Sequence, residues 1–177
     1  MKILSSLTAA IVIGTSLMTG CANPLATNSF NSGVEKYVQG DYQGAIADWN
    51  KAIEINPQYA DAYLNRGLAK AHLEDYQGAI TDFTKSVEIN PQYADAYFHR
   101  GLSKGYWKRD YQGALPDYNK AIEIDPQHFP AYRDRGIIRR WIGDLKGACA
   151  DWRKAVDFGL KVDFGLKEHA EWVKKQC

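Results

Sequence analysis

The sequence predicts an all-α protein, an α-solenoid of four stacked helix-turn-helix units closed by a C-terminal capping helix. Three observations carry this. The block Asp41-Tyr42-Gln43-Gly44-Ala45 returns as Asp75-Tyr76-Gln77-Gly78-Ala79, as Asp110-Tyr111-Gln112-Gly113-Ala114 and, altered, as Asp144-Leu145-Lys146-Gly147-Ala148, at spacings of 34, 35 and 34 residues. A second marker, Asn56-Pro57-Gln58-Tyr59, returns as Asn90-Pro91-Gln92-Tyr93 and Asp125-Pro126-Gln127-His128. A glycine precedes each block at Gly33, Gly67, Gly101 and Gly136. Self-similarity at this period is the signature of hairpins that bury their apolar faces only by stacking.

Within each unit the residues read as two helices. The first, for example Ala60 to Leu73, carries Tyr63, Gly67, Leu68 and Ala71, and Gly67 lets a paired helix approach closely. The second starts at the Asp of the repeated block, a good N-cap, with Ala79, Ile80, Phe83 and Val87 at helical spacing. It ends before Asn-Pro, because the residue ahead of a proline is pushed out of the helical region. Unit three has one extra residue near Lys108-Arg109, and Pro116 falls inside its second helix, where it is expected to kink the helix or delay its start at a cost of about 3 kcal/mol if fully interior. Unit four has Leu160 where the others have proline. After it, residues 156–161 are duplicated as 162–167, and Leu166, Ala170, Val173 and Cys177 form one apolar stripe, which predicts a capping helix over 161–177.

The pattern resembles the tetratricopeptide repeat closely. The glycine of the first helix is followed in the second by Ala, aromatic, small and Pro: Ala45, Trp49, Ala52, Pro57; Ala79, Phe83, Ser86, Pro91; Ala114, Tyr118, Ala121, Pro126; and Ala148, Trp152, Ala155. Four repeats are assigned to residues 29–160. The resemblance implies a concave wall built from first-helix side chains that grips an extended or helical peptide. The inward positions it implies are Phe30, Asn31, Asn65, Leu68, His72, Phe98, His99, Tyr106, Arg133, Arg140 and Trp141, with Val34, Leu102 and Ile137 between them. The Lys and Asn set of the family's carboxylate clamp is absent, since Leu64, Phe98 and Arg133 occupy one key position, so chaperone-tail binding is disfavoured.

The N-terminus reads as an address. Lys2 is followed by Ile3 to Met18 without a charge, too short for a comfortable bilayer span and suited to a secretory signal over residues 1–20. Leu17-Met18-Thr19-Gly20-Cys21 resembles the bacterial lipobox, which implies lipidation of Cys21 and a membrane anchor by N-terminal lipid. Residues 21–28 then form a tether. The absence of Asp after Cys21 implies the outer membrane, facing the periplasm, by resemblance to Gram-negative lipoproteins.

Composition limits the alternatives. Of 177 residues 45% are hydrophobic and 24% charged, as in ordinary globular chains, and the formal net charge of +1 implies no nucleic-acid partner. No phosphate loop, zincin pair, nucleophile elbow or Cys-x-x-Cys is present. His72, His99, His128 and His169 are scattered, so no metal and no cofactor is expected. The expected protein is not an enzyme. Arg66, Arg100 and Arg135 recur before the glycine, and Asp48, Asp82, Asp117 and Asp151 before the aromatic residue; ion pairs between neighbouring helices are favoured over an anion-binding stripe.

Cys149 stands on the apolar face of a second helix, and Cys177 ends a helix expected to run back against it. An oxidising compartment would bridge them; two buried thiols are the alternative. The expected function is a membrane-anchored adaptor or scaffold binding a protein or peptide in its groove during envelope assembly. A surface lipoprotein binding a small molecule or glycan, or an enzyme accessory subunit, are the other readings.

Overall fold

The computed structural model describes residues 23–159 together with Lys175 and Cys177. The signal segment 1–20, the lipidation residue Cys21 and all but Lys175 and Cys177 of the expected capping helix 161–177 lie outside the described residues. Among those described, every regular element is helical: α1 Pro24–Val38, α2 Tyr42–Ile55, α3 Ala60–His72, α4 Tyr76–Ile89, α5 Ala94–Leu102, a π-helical segment Ser103–Trp107, α6 Tyr111–Ile124, α7 Phe129–Trp141 and α8 Leu145–Gly159.

The chain divides into two compact units at Asn90. In the first, α1 pairs with α2 and α3 with α4, and α2 packs on α3. In the second, α5 with its π segment pairs with α6, α7 pairs with α8, and α6 packs on α7. Each is thus a pair of helix-turn-helix hairpins, the all-α repeat architecture that the periodicity predicts.

The hairpins close through a small-against-large fit. The fully buried Trp49, Phe83, Tyr118 and Trp152 of the second helices lie against the glycines of the first. A Cβ on Gly33 would lie 2.6 Å from Trp49 Nε1, and one on Gly136 would lie 2.5 Å from Trp152 Nε1. The two indoles also donate Nε1–H to the backbone carbonyls of Phe30 and Arg133, each at 3.2 Å. Burial of each such ring stabilises by roughly 1.5–3 kcal/mol.

The repeated Asp caps each second helix. Asp41, Asp75, Asp110 and Asp144 accept from the backbone N–H of Gly44, Gly78, Gly113 and Gly147 at 2.8–2.9 Å. These glycines therefore serve the cap: a side chain on any of them would meet the capping carboxylate.

One boundary differs from expectation, and two irregularities of unit three find their place. Helix α1 starts at Pro24, because Asn23 accepts the Leu25 N–H at 3.0 Å and proline fits the first helical position, so residues 24–28 belong to the first hairpin rather than to a tether. Pro116 does not delay α6, which starts at Tyr111 as its counterparts do; the donor it removes would have bonded Gln112, on the exposed side of the helix. The extra residue of unit three is absorbed in Ser103–Trp107. There the Asp110 N–H reaches back six residues to Lys104 O, where Asp41, Asp75 and Asp144 reach back five.

Candidate functional site

The recurring charges form a girdle inside each hairpin. Arg66 donates from Nε and Nη2 to Asp82 at 2.9 and 2.5 Å, and Arg135 does the same to Asp151 at 2.9 and 2.6 Å. Their third nitrogens reach Asn50 and Asn119, both at 2.7 Å. Arg66, Arg100 and Arg135 also lie over the rings of Tyr63, Tyr97 and Tyr132 at 5.3–5.4 Å. A second cation one turn later, Lys70, Lys104 or Arg139, completes each carboxylate at 2.8 Å. The arginines are thus structural partners of buried aspartates, as the equal recurrence of both predicts.

In the first hairpin Ser32 replaces the arginine. Ser32 Oγ donates to Asp48 at 2.6 Å and Lys36 at 2.5 Å, and these two hydrogen bonds, Lys36 first, hold the Asp48 carboxyl down at about 2.

The implied groove residues do not share one environment. Phe30, Asn65, Leu68, Phe98 and His99 are buried: the Phe30 ring meets Tyr59 at 5.0 Å, the Asn65 amide donates to Asp61 O at 2.8 Å, and the Phe98 ring meets His128 at 5.0 Å. The Phe30 and Phe98 rings are spent on Tyr59 and His128, and none of the five presents more than a small fraction of its surface. His72 is half-buried, stacked on Tyr42 at 4.6 Å, and burial lowers its pKa. Tyr106 and Arg133 are half-buried as well, while Asn31, Arg140 and Trp141 are exposed.

In the second unit two of these residues, Tyr106 and Arg133, converge on one that sequence reasoning missed. Asp134, 2% exposed, accepts from Arg133 Nε and Nη2 at 2.8 and 3.0 Å and from the Tyr106 hydroxyl at 3.4 Å. Burial, reinforced by the Asp134 charge, pushes the Tyr106 phenol well above its ordinary range and does the same to the buried Tyr118. Both phenols stay protonated at physiological pH. The arrangement places a neutralised charge pair beside the half-buried Tyr106 ring, whose other side meets Trp141 at 5.4 Å. The available signal was Asp134 standing where the other repeats have Asn31, Asn65 and His99.

His128 plays a structural part. Its Nδ1 accepts the Ala131 N–H at 3.2 Å, which leaves Nε2 to donate to Asp95 at 3.1 Å. That bond is the main cause of a lowered Asp95 pKa. Cys149 and Cys177 are joined, with Cα atoms 5.4 Å apart. Among the described residues no group of three His, Cys, Asp or Glu side chains is placed to hold a metal, and no helix is long and apolar enough to cross a membrane.

Three family models together match residues 33–128: TPR repeat over residues 33–73, and tetratricopeptide repeat over 60–93 and again over 94–128. No curated protein sequence matches. Among solved structures, a crystal structure of MamA superposes with a TM-score of 0.72 at 26% identity, covering 79% of this chain and 82% of that one. The TPR domain of Arabidopsis OM64 gives 0.64 at 26% identity, with 67% and 97% covered. The first TPR of Spaghetti (RPAP3), bound to an HSP90 peptide, gives 0.66 at 25% identity, with 70% and 98% covered.

Proposed function

The chain belongs to the tetratricopeptide repeat family, and from that premise we propose that it is a membrane-anchored adaptor that grips a protein or peptide partner and does no chemistry of its own. The observation that carries this reading is that Tyr106, Arg133 and Trp141 of the second unit remain accessible, Trp141 against Tyr106, while the Asp134 that Tyr106 and Arg133 share is already neutralised. Rigid aromatic rings and an arginine with part of its surface free are the side chains that anchor protein partners. The peptide held by the Spaghetti (RPAP3) domain supports a protein ligand. Leu64, Phe98 and Arg133 at the clamp position argue for a partner other than an acidic chaperone tail.

The buried carboxylates bear on catalysis. Asp48, Asp82, Asp117, Asp134 and Asp151 each have a cation within hydrogen-bond distance, which commits them to structure. Anchoring through lipid on Cys21, at the outer membrane facing the periplasm, completes the proposal. With α1 starting at Pro24, only Cys21 to Asn23 separate lipid from helix, roughly 10 Å when extended.

A photo-reactive phenylalanine at Tyr106, and a second photo-reactive residue at Asn31, test partner binding in native membranes against a control at Lys51, exposed on α2. One protein captured from Tyr106 or Asn31 and not from Lys51 is expected. Equal capture from all three removes the reading. Labelling with fatty acid, lost in Cys21→Ser, tests the anchor separately.

A further inference from the structure

Among the described residues one buried side-chain polar atom has no hydrogen-bond partner, the Tyr118 hydroxyl. Tyr118 is fully buried, and the two other rings of its set that carry a polar tip, Trp49 and Trp152, donate theirs to backbone carbonyls. A hydroxyl left unpaired in the interior costs the folded state, so its surroundings should account for it. It stands beside Asp134. The Tyr118 ring belongs to one cluster with Ala131 and Ile138, which lie one turn before and one turn after Asp134 on the same face of α7. Burial first, then the Asp134 charge and then Tyr106, raise the Tyr118 phenol. The π segment packs on the same stripe of α7, since a Cβ on Gly105 would lie 2.9 Å from Ile138 Cδ1.

Tyr106 holds Asp134 loosely. Its hydroxyl donates to Oδ1 at 3.4 Å, beyond the ordinary range of about 2.5–3.0 Å for such a bond, while Arg133 holds Oδ1 and Oδ2 at 2.8 and 3.0 Å. Tyr106 is half-buried and stands on the π segment, a backbone form that recurs at functional sites. Two phenols thus neighbour one carboxylate, one weakly bonded with part of its surface free, the other buried and unbonded.

We infer that Asp134 exchanges donors: in the free protein Tyr106 donates to it, and when an acceptor oxygen of the partner, such as a peptide carbonyl, draws the Tyr106 hydroxyl away, the Tyr118 hydroxyl takes its place. Tyr106 is then the polar contact with the guest, and Tyr118 is a positioning residue that lets it leave. Asp134 keeps its full set of donors, and a hydroxyl unpaired in the free protein becomes paired in the complex, which favours the complex. A carbonyl fits because a protonated phenol donates and because Arg133 already neutralises Asp134, so the guest needs no charge. The guest's part of this inference rests on the adaptor reading; the exchange itself does not.

A double-substitution cycle tests the exchange without any partner. Tyr106→Phe should hardly lower the urea midpoint, because Tyr118 takes over Asp134, and Tyr118→Phe, which removes an unpaired hydroxyl, should leave it level or raise it. Together they leave Asp134 with Arg133 alone, and the midpoint should fall by more than the two single changes add up to. In protein isotope-labelled at tyrosine Cζ, the Tyr118 resonance, identified by its loss in Tyr118→Phe, should shift in Tyr106→Phe as its hydroxyl becomes bonded. Additive midpoints, or a Tyr118 resonance that stays in place, overturn the exchange; an ordered water then serves that hydroxyl. The guest's part is read by crosslinking in native membranes from a photo-reactive phenylalanine at Trp141, which touches the Tyr106 ring. Tyr118→Phe, no less stable than the wild type, should cut capture by about three- to tenfold, and so should Tyr106→Phe. Capture unchanged in Tyr118→Phe overturns the guest's part. No capture by the otherwise unaltered chain removes the adaptor reading itself, while the cycle and the Tyr118 resonance still decide the exchange.

Discussion

Arg100 takes hold of Asp117 with Nε and Nη2, at 3.1 and 2.6 Å to Oδ1, while Lys104 reaches Oδ2 at 2.8 Å. Asp117 is 3% exposed, so losing the guanidinium would leave a buried carboxylate with one cation in place of two. Arg100→Ala should therefore destabilise by about 2 kcal/mol, read as a lower urea midpoint, and leave capture of a partner from Tyr106 intact at temperatures where the protein is folded. A variant of unchanged stability that no longer captures a partner would return the arginines to the role of a ligand stripe.

The glycines of the first helices should rank by what a methyl group would strike. At Gly67 a Cβ would lie 2.6 Å from Cε1 of the buried Phe83; at Gly101 the nearest atom is Asp117 Cβ at 3.1 Å. Gly67→Ala is expected to cost about 1–3 kcal/mol through overpacking, and Gly101→Ala clearly less, since alanine's helix propensity returns part of a smaller strain. Thermal unfolding of the two variants side by side checks the order, and the reverse order would refute the fit.

What the sequence showed follows from which interactions repeat. The hairpins were legible because Gly67 against Phe83 and Asp75 over Gly78 recur in register with their counterparts, so one physical rule leaves several copies. The groove was less legible. Some first-helix positions are buried and others exposed, and residue type does not separate them: Phe98 and Trp141 are both large aromatics, one buried and one exposed. The start of α1 was hidden because Thr27 and Asn28 read as polar linker, while the Asn23-Pro24 cap that begins the helix is local and occurs once. The π segment left only a count, one residue too many, with nothing to say where the backbone would take it up.

Glu74 has φ of 64° at the turn where Gly40 and Gly143 occupy the matching places in their hairpins. A side chain in this left-handed region costs roughly 1 kcal/mol or more. Glu74 is exposed, so Glu74→Gly removes little contact and should raise stability by about 1 kcal/mol. A denaturant midpoint equal to or below the wild-type value would show that the turn is not strained there.

Acid should loosen the first hairpin through Asp48. Its folded pKa lies near 2, below the ordinary 3.8, so the carboxylate stabilises the fold fully above the ordinary value. That contribution fades as pH falls from about 4 towards 2, because the unfolded chain takes up the proton first. The thermal midpoint of the wild type should fall across this window, and Asp48→Asn, already without the charge, should fall less. Parallel curves for the two proteins would place the acid sensitivity elsewhere.

The bond between Cys149 and Cys177 closes a loop with a sequence separation of 28, and Cys177 packs with Ile137 against Ala148 and Trp152. The Arg153 guanidinium also donates to the Cys177 carbonyl, so the chain end is tied to α8 by a covalent and a polar contact. Restricting the unfolded chain in this way stabilises by about 3–4 kcal/mol in the chain-entropy account. Cys149→Ser, Cys177→Ser and the double variant should then all lose a similar amount, because each removes the same single bond. A dithiol reductant should lower the wild-type midpoint to theirs and leave the variants unmoved. Additive losses in the double variant, or a midpoint indifferent to reductant, would mean that the two thiols act separately as buried apolar groups.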